Sequence, residues 1–268
     1  MAETLKITSQ GQGIPLVLIH GWGLNAGVWQ PLAEKLAPFF KVITVDLPGY
    51  GLNSHTNVAP YSLANICQKV IDAVDEPAVY LGWSLGGLIA TEIAYHYSEK
   101  VLALITVAST PCFIELLTQD KQVSWPGIKP ALLTTFHHQL AQDTKQTIDG
   151  FLKIQAMGSP HIRQDLKDIK ALIFQYHMPT RQTLDDSLSL LETVDLRANL
   201  ASIRLPFLRL YGRLDTLVPK AIADLVSELA PKSDLHIFKQ ASHAPFISHN
   251  NDFFDVLTHW LNTLEVNK

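Results

Sequence analysis

Continuous apolar runs punctuate the first hundred residues, and none of them alternates with polar positions. The runs occupy residues 15–19, 42–45, 78–81 and 101–107. Unbroken runs of Val, Ile and Leu are typical of parallel strands that are buried on both faces. Helical periodicity fills the stretches between them, at 28–36, 63–74 and 85–97. This order predicts a parallel sheet whose strands are joined by crossover helices.

The pattern changes after Pro111. Helical spacing then predominates and we expect no strand before residue 195, with helices at 131–140, 144–157, 162–174 and 183–191. Strand runs return at 206–211 and 235–238, and helical stretches follow them at 220–229 and 252–264. The sequence predicts an α/β core of residues 1–111 and 196–268, with a mostly parallel central sheet and helices on both faces. A helical cap of residues 112–195 interrupts it, and such insertions commonly cover a site.

Composition and charge narrow the function classes. The chain has 268 residues, of which 47% are hydrophobic and 17% charged, with a net charge of −4. This composition excludes a disordered chain and argues against a general nucleic-acid binder. Two cysteines, Cys67 and Cys112, supply neither a disulfide framework nor a zinc set, which favours a reducing compartment. With no signal pattern and no run of about 18 apolar residues, we expect a cytoplasmic protein that does not bind membranes. We also expect it to be a monomer.

The sequence GWSLGG at residues 82–87 lies between an apolar run and a helical pattern. This is the strand, sharp turn and helix that a G-x-S-x-G nucleophile elbow requires. A strand-to-helix turn that simply needs glycine would look similar, but the context favours Ser84 as a nucleophile. A serine here implies an acyl-enzyme, and therefore hydrolysis of an ester or thioester, with neither metal nor organic cofactor.

A serine nucleophile needs a base, and the base needs an orienting acid. In this type of fold the acid and the base follow the serine in that order along the chain. Asp215 fits the acid, because it closely follows the run at 206–211, although an aspartate of a turn or helix cap would look the same. Asp195 and Glu192 are weaker rivals, since no strand precedes them. Asp46 ends a strand but comes before the serine, so we expect it to order a loop.

His243 is the predicted base among 11 histidines, because it follows the last strand run. His249 lies where the last helix begins, and His137 and His138 point to different helix faces without metal-ligand spacing. The oxyanion formed during attack needs two N–H donors. We expect them from Leu85, directly after the nucleophile, and from Trp22 in the glycine-flanked sequence HGWG. His20 in that sequence is expected to order the loop.

The triad segments at 82–87, 210–215 and 243–249 resemble those of the α/β-hydrolase superfamily. Further stretches resemble the BioH-type esterases of biotin synthesis, namely residues 20–25, 107–113, 125–128, 151–158 and 193–197. The resemblance implies a carboxylesterase that hydrolyses the methyl ester of a pimeloyl group carried by acyl-carrier protein. Two alternatives stay open: a serine esterase, thioesterase or perhydrolase acting on small free esters, and a non-catalytic ligand receptor.

Carried over position by position, the resemblance implies a triad of Ser84, Asp215 and His243. It also implies substrate contacts from Trp22, Ser84, Leu85, Phe151, Leu152, Lys153, Ile154, Gln155 and His243. The family has a small apolar residue where Lys153 stands. Five residues could line an acyl tunnel or equally pack the cap onto the core: Phe113, Trp125, Phe136, Phe151 and Met157.

An acidic carrier protein would be steered by a basic surface. Arg163, Lys167 and Lys170 are spaced to share one helix face, which makes them candidates for carrier docking. The alternative is a solvated face paired in part with Asp165 and Asp168. The resembled family uses arginines in this region, whereas this chain uses mostly lysines, which bind carboxylates with less directional specificity.

Overall fold

The computed structural model describes residues 4–156 and 161–264, without the side chains of Ile154 and Ala156. The described residues form nine strands: β1 Ile7–Gln10, β2 Pro15–Ile19, β3 Lys41–Val45, β4 Ala78–Trp83, β5 Val101–Val107, β6 Leu116–Leu117, β7 Val123–Trp125, β8 Phe207–Gly212 and β9 Asp234–Phe238. Seven of them form one sheet in the order β1-β3-β2-β4-β5-β8-β9, and β1 alone runs antiparallel to its neighbour.

Helices lie on either side of these strands in the chain order that the periodicity predicts. They are α1 Gln30–Leu36, α2 Leu63–Ala73, α3 Leu85–His96, α4 Pro130–Gln142, α5 Thr144–Ala156, α6 Ile162–Ile173, α7 Arg181–Thr193, α8 Arg197–Leu200, α9 Ala221–Leu229, α10 Pro245–Ser248 and α11 Asn250–Leu261. Short 3-10 turns occupy Ala26–Trp29, Gly51–Asn53 and Ser98–Lys100. Across the described ranges, every helix is too short or too polar to span a lipid bilayer.

The centre of the sheet is the most deeply buried part of the molecule. Every residue of β4 is buried, and α3 directly after it is buried along ten of its twelve positions. Close packing at this junction depends on glycine, since a Cβ on Gly82 would lie 2.0 Å from the Gly86 carbonyl oxygen. A continuous apolar strand followed by small residues therefore produces a tight strand-to-helix turn at the sheet's carboxyl edge.

The predicted fold class is confirmed, with two local corrections. β1 was not expected, because its sequence ITSQ is short and none of its residues is fully buried. The expectation of no strand between residues 112 and 195 is wrong, since β6 and β7 pair as an antiparallel hairpin there. These strands have only two and three residues, too few to produce a periodic signal. Helices α4 to α7 follow the hairpin, between β5 and β8.

Candidate active site

Ser84 stands at the turn between β4 and α3 with φ 55° and ψ −118°. This positive φ is uncommon for a residue with a side chain and costs on the order of 1–3 kcal/mol. Two hydrogen bonds hold the turn in place. The Ser84 backbone N–H donates to the Val107 carbonyl oxygen at 2.9 Å, and the Ser109 hydroxyl donates to the Ser84 backbone carbonyl oxygen at 2.8 Å. The predicted nucleophile therefore occupies a strained, well-supported elbow.

His243 and Asp215 form a fully buried pair at the ends of the last two strands. His243 Nδ1 lies 2.8 Å from Asp215 Oδ2, and both side chains are at most 1% exposed. The other oxygen, Asp215 Oδ1, accepts from the backbone N–H groups of Leu217 at 2.8 Å and Val218 at 3.0 Å. Because the carboxylate can only accept, Nδ1 carries the proton and Nε2 presents its lone pair.

Nε2 of His243 is buried and has no hydrogen-bond partner among the described residues. It does not contact the Ser84 hydroxyl within hydrogen-bond distance in this structure. Trp83, next to Ser84, nevertheless holds the base at the same edge of the sheet. Its indole N–H donates to the His243 oxygen at 2.8 Å, and its ring centre lies 5.7 Å from the imidazole. Hydrogen bonds of catalytic groups are often long before substrate binds, so the free lone pair suits a base.

The loop after β2 lies directly against the nucleophile. A Cβ on Gly21 would lie 3.2 Å from the Ser84 Cβ, so only glycine leaves ordinary room there. Trp22 and Leu85 are fully buried. Within the described part of the chain, neither donates a hydrogen bond from its backbone N–H. Buried N–H groups are nearly always paired, so two free ones beside a serine are what an oxyanion hole requires.

His20 and Asp46 hold this loop, as the sequence predicts. His20 Nε2 accepts from Leu47 N–H at 3.0 Å, and its Nδ1 lies 2.8 Å from the Gly21 oxygen. These contacts require a neutral ring with its proton on Nδ1. Burial lowers the pKa of His20, against the opposing effect of the nearby Asp46 carboxylate. Asp46 in turn accepts from the backbone of Ala26 at 2.6 Å and of Leu52 at 2.8 Å.

The inserted helices supply a mostly apolar wall. The Trp22 ring packs edge-on against Phe151 at 4.7 Å between ring centres and tilted against Phe136 at 6.4 Å. Leu152 is fully buried beside Phe151. Ile154 lies on α5 but its side chain lies outside the described residues, as does all of Met157.

Gln155 is the polar exception in this wall. It is 1% exposed, and neither its amide oxygen nor its amide nitrogen has a hydrogen-bond partner among the described residues. Its backbone oxygen accepts from His243 N–H at 3.3 Å, which places it beside the base. Leaving a buried amide unpaired costs roughly 1–3 kcal/mol, which a hydrogen bond to a polar ligand would offset.

Several residues that the sequence suggests for substrate contact or for an acyl tunnel lie outside the apolar wall around Trp22. Lys153, one of the substrate contacts that the resemblance implies, is exposed and lines a polar cleft between α4 and α5 with a volume of about 460 Å³. Trp125 donates to the Cys112 oxygen at 2.8 Å and carries the Arg197 guanidinium 5.2 Å from its ring centre. Phe113 is buried but makes no ring contact with the Trp22 wall among the described residues. The aromatic set therefore divides between two places.

The candidate docking residues are arranged unevenly along α6. Arg163 and Lys167 are exposed. Lys170 Nζ instead lies 2.7 Å from Asp149 Oδ1 on α5, so the ion-pair partner of this lysine is neither Asp165 nor Asp168. The exposed basic surface of this helix is therefore smaller than its sequence indicates.

The rival acids are engaged away from Ser84. Asp195 is held by the Arg197 guanidinium, with one N–O distance of 2.7 Å, and this pairing lowers the pKa of Asp195. Glu192 lies 3.2 Å from His137 Nε2, whose Nδ1 is 2.6 Å from Asp185. Within the described residues, no three His, Cys, Asp or Glu side chains are grouped to hold a metal ion.

Comparison with known proteins agrees with this architecture. A model of the α/β hydrolase fold family matches residues 14–250. Pimeloyl-[acyl-carrier protein] methyl ester esterase of Aliivibrio fischeri is 45% identical over 262 residues, 98% of this chain and 99% of that protein. The protein of the same name from Vibrio vulnificus strain YJ016 is 44% identical over 253 residues, 94% of this chain and 96% of that protein.

Solved structures at lower sequence identity share the fold of this chain, and the similarity to them concerns the fold alone. An esterase from Exiguobacterium antarcticum superposes with a TM-score of 0.82 at 23% identity, covering 97% of this chain and 96% of that one. A bromoperoxidase from Bacillus anthracis gives 0.83 at 20% identity, covering 96% and 94%. With a family match over most of its length and relatives that share nearly half of its residues, the chain belongs to the α/β hydrolase family.

Proposed function

We propose that this protein is a serine carboxylesterase that hydrolyses the methyl ester of pimeloyl-acyl-carrier protein in biotin synthesis. Identity of 45% to an esterase of that name, across 98% of the chain, supports the substrate. The observation that carries the chemistry is the buried His243–Asp215 pair with a free Nε2, at the same sheet edge as the Ser84 elbow. One chain supplies every residue of the site, which suits a monomer, and two free cysteines suit the cytoplasm.

The reaction proceeds in two halves. Nε2 of His243 takes the proton of the Ser84 hydroxyl while the Ser84 oxygen attacks the ester carbonyl carbon. The N–H groups of Trp22 and Leu85 hold the resulting oxyanion. The imidazolium then gives its proton to the departing methoxide, which leaves as methanol. Nε2 then takes a proton from water, whose oxygen attacks the acyl carbon. The imidazolium returns this proton to the departing Ser84 oxygen, which regenerates the serine and releases the pimeloyl carboxyl group.

Residues 112–195 act as a cap over the core formed by 1–111 and 196–268. The wall of Trp22, Phe136, Phe151 and Leu152 is apolar, as a seven-carbon acyl chain requires. Gln155, whose backbone oxygen accepts from the His243 backbone N–H, supplies a buried neutral amide that can pair with an ester oxygen. The resemblance and this burial together support Gln155 as a substrate contact.

Arg163 and Lys167 form the carrier-docking surface. Both are exposed, and acyl-carrier proteins present acidic surfaces that such residues attract at long range. Lys170 contributes less, because Asp149 already compensates its charge. Docking therefore affects the rate of association more than the chemistry.

The test compares two substrates on the same enzyme. We expect purified protein to release methanol and free carboxylate from pimeloyl-acyl-carrier protein methyl ester, measured by mass spectrometry of the carrier. Ser84→Ala should lose at least about a thousandfold in kcat. Equal kcat/KM for the carrier-bound ester and a free methyl ester would favour a small-ester hydrolase. A slow single acylation with no turnover would instead indicate a ligand receptor.

A charge reversal tests docking separately. Arg163→Glu with Lys167→Glu should lower kcat/KM for the carrier-bound ester about tenfold at low salt, and leave a free p-nitrophenyl ester unchanged. Lys220→Glu with Lys232→Glu changes the net charge by the same amount, at exposed positions around α9, and serves as the matched control. Equal effects of the two double variants would contradict the surface.

A further inference from the structure

The loop after β2, residues 21–25, is tied to two inserted helices by side chains that donate to backbone oxygens. The Trp22 indole N–H donates to the Leu184 oxygen of α7 at 2.9 Å. The Asn25 amide donates to the Ile173 oxygen at the end of α6, also at 2.9 Å. Both donors are buried, at 0% and 2% exposure. Hydrogen bonds shielded from water in this way are costly to leave unmade.

Contacts to the other two helices complete the attachment. The Trp22 ring packs on Phe136 of α4 and Phe151 of α5. The chain after Asn25 has no spare room, since a Cβ on Gly27 would lie 2.7 Å from the Leu172 oxygen of α6. Loop 21–25 and the turn that follows it therefore contact all four helices α4 to α7. A shift of these helices must move the loop or break these contacts.

Trp22 joins the two sides within one residue. Its side chain bonds to α7, while its backbone N–H is buried, unpaired among the described residues and next to the elbow of Ser84. Oxyanion donors act only when they lie about 2.7–3.1 Å from the developing charge, and an error of about 1 Å can cost a hundredfold. The distance between α7 and the sheet thus sets the direction of this N–H.

We propose that helices α6 and α7 hold loop 21–25 in its catalytic geometry, with the Trp22 indole and Asn25 as positioning residues. The cap then does more than cover the substrate, because its placement determines whether the oxyanion hole is assembled. Asn25 also accepts from Gly27 N–H at 3.0 Å, so one side chain both starts the 3-10 turn and binds the cap. This inference rests on the proposed esterase function and adds to it residues that fix the oxyanion donor.

Trp22→Phe tests the hydrogen bond from Trp22 to Leu184, because it keeps an aromatic ring and removes the indole donor. We expect kcat for a p-nitrophenyl ester to fall about tenfold with KM within about threefold. The Ki of a trifluoromethyl ketone, which binds as a tetrahedral oxyanion, should rise by a similar factor. Trp29→Phe is the matched control: Trp29 is equally buried, but its indole nitrogen has no partner among the described residues. It should leave kcat and Ki at wild-type levels.

Asn25→Ser tests the hydrogen bond from Asn25 to Ile173 without altering the aromatic wall. A serine retains an oxygen for the Gly27 N–H but is too short to reach Ile173. We expect the same pattern, a lower kcat and weaker ketone binding per active site titrated with a fluorophosphonate. Wild-type kcat and Ki per titrated site in both variants would overturn the inference. An inert wild-type enzyme would instead overturn the proposed function, so the two failures are distinguishable.

Discussion

The two sides of the site are built by different means. On the core side, Ser84, Asp215 and His243 each follow the end of a strand, and contacts within the same turn or to the neighbouring strand fix Ser84 and Asp215. Asp215 is held by N–H groups two and three residues later, and Ser84 by its neighbouring strand. On the cap side, the ties connect residues far apart in sequence: Trp22 with Leu184 and Asn25 with Ile173. The core positions its groups through the strand ends, whereas the cap positions them through helix packing.

This difference has a consequence for how each side fails. A substitution of a side chain just after a strand end leaves the packing of the strands themselves unchanged, so changes there should abolish chemistry while the fold survives. On the cap side, Trp22 and Asn25 each bind a helix through a single hydrogen bond to a backbone oxygen. Losing one of these bonds leaves the helices folded but changes their distance from loop 21–25. We therefore expect large effects on rate from the core side, and moderate effects on rate or stability from the cap side.

The largest effect is expected from Asp215→Asn. The asparagine oxygen can still accept from Leu217 and Val218, so its NH₂ group faces His243 Nδ1 and drives the proton to Nε2. An imidazole in this tautomer cannot take the serine proton, and kcat should fall about 10³–10⁴-fold. Steady-state kinetics with a p-nitrophenyl ester measures the loss.

Asp195→Asn is the matched control for that substitution. Asp195 is one of the two rival acids in the sequence, and it is bound to Arg197 instead of to a base. We expect its kcat to stay within about threefold of wild type. Comparable losses in the two variants would contradict the assignment of Asp215 as the orienting acid.

A pair of glycines sharpens the comparison at the boundary between core and cap. Gly27→Ala places a Cβ 2.7 Å from the Leu172 oxygen and should lower the free energy of unfolding by about 1–3 kcal/mol. A Cβ added to Gly150 on α5 would meet no atom within 4 Å beyond its own stretch of helix, so Gly150→Ala should stabilise by about 0.5–1 kcal/mol. Urea denaturation measures both. Equal and small changes would show that the boundary at Gly27 is looser than the contacts indicate.

The smallest effect concerns His20 and pH. Burial lowers its folded-state pKa below the ordinary value of 6.5, so the unfolded chain binds this proton more readily. Stability contributed by the neutral ring is therefore complete above pH 6.5 and is lost as pH falls through that value. The contribution to the slope is at most about 1.4 kcal/mol per pH unit. His20→Asn should reduce the change in unfolding free energy with pH between pH 6.5 and 5. An unchanged pH dependence would contradict a neutral His20 in the folded protein.

Much of the core could be predicted from sequence because its signals are local. Buried parallel strands produce unbroken apolar runs, and the elbow of Ser84 requires glycines at fixed offsets. The chain order of acid and base then limits the choice to a few residues after strand runs. β1 and the β6–β7 hairpin could not be found in this way, because two to four residues carry no periodicity.

The cap contacts were less predictable for a physical reason. Trp22 and Asn25 both act through hydrogen bonds to backbone oxygens, those of Leu184 and Ile173, which any residue type could provide. No pairing of side chains marks such a bond in the sequence. The exposure of Lys153 and the ion pair of Lys170 with Asp149 likewise depend on how α4, α5 and α6 are rotated. Periodicity predicts that helices exist, but it does not predict which of their carbonyl oxygens meet the core.

Covalent trapping of the nucleophile tests the central claim most directly. Treatment with a fluorophosphonate, followed by peptide mass spectrometry, should show one label per chain, on Ser84. His243→Ala should slow labelling at least about a hundredfold, because the base no longer takes the hydroxyl proton. A label on another residue, or labelling at the wild-type rate without His243, would contradict a serine nucleophile activated by the buried His243–Asp215 pair.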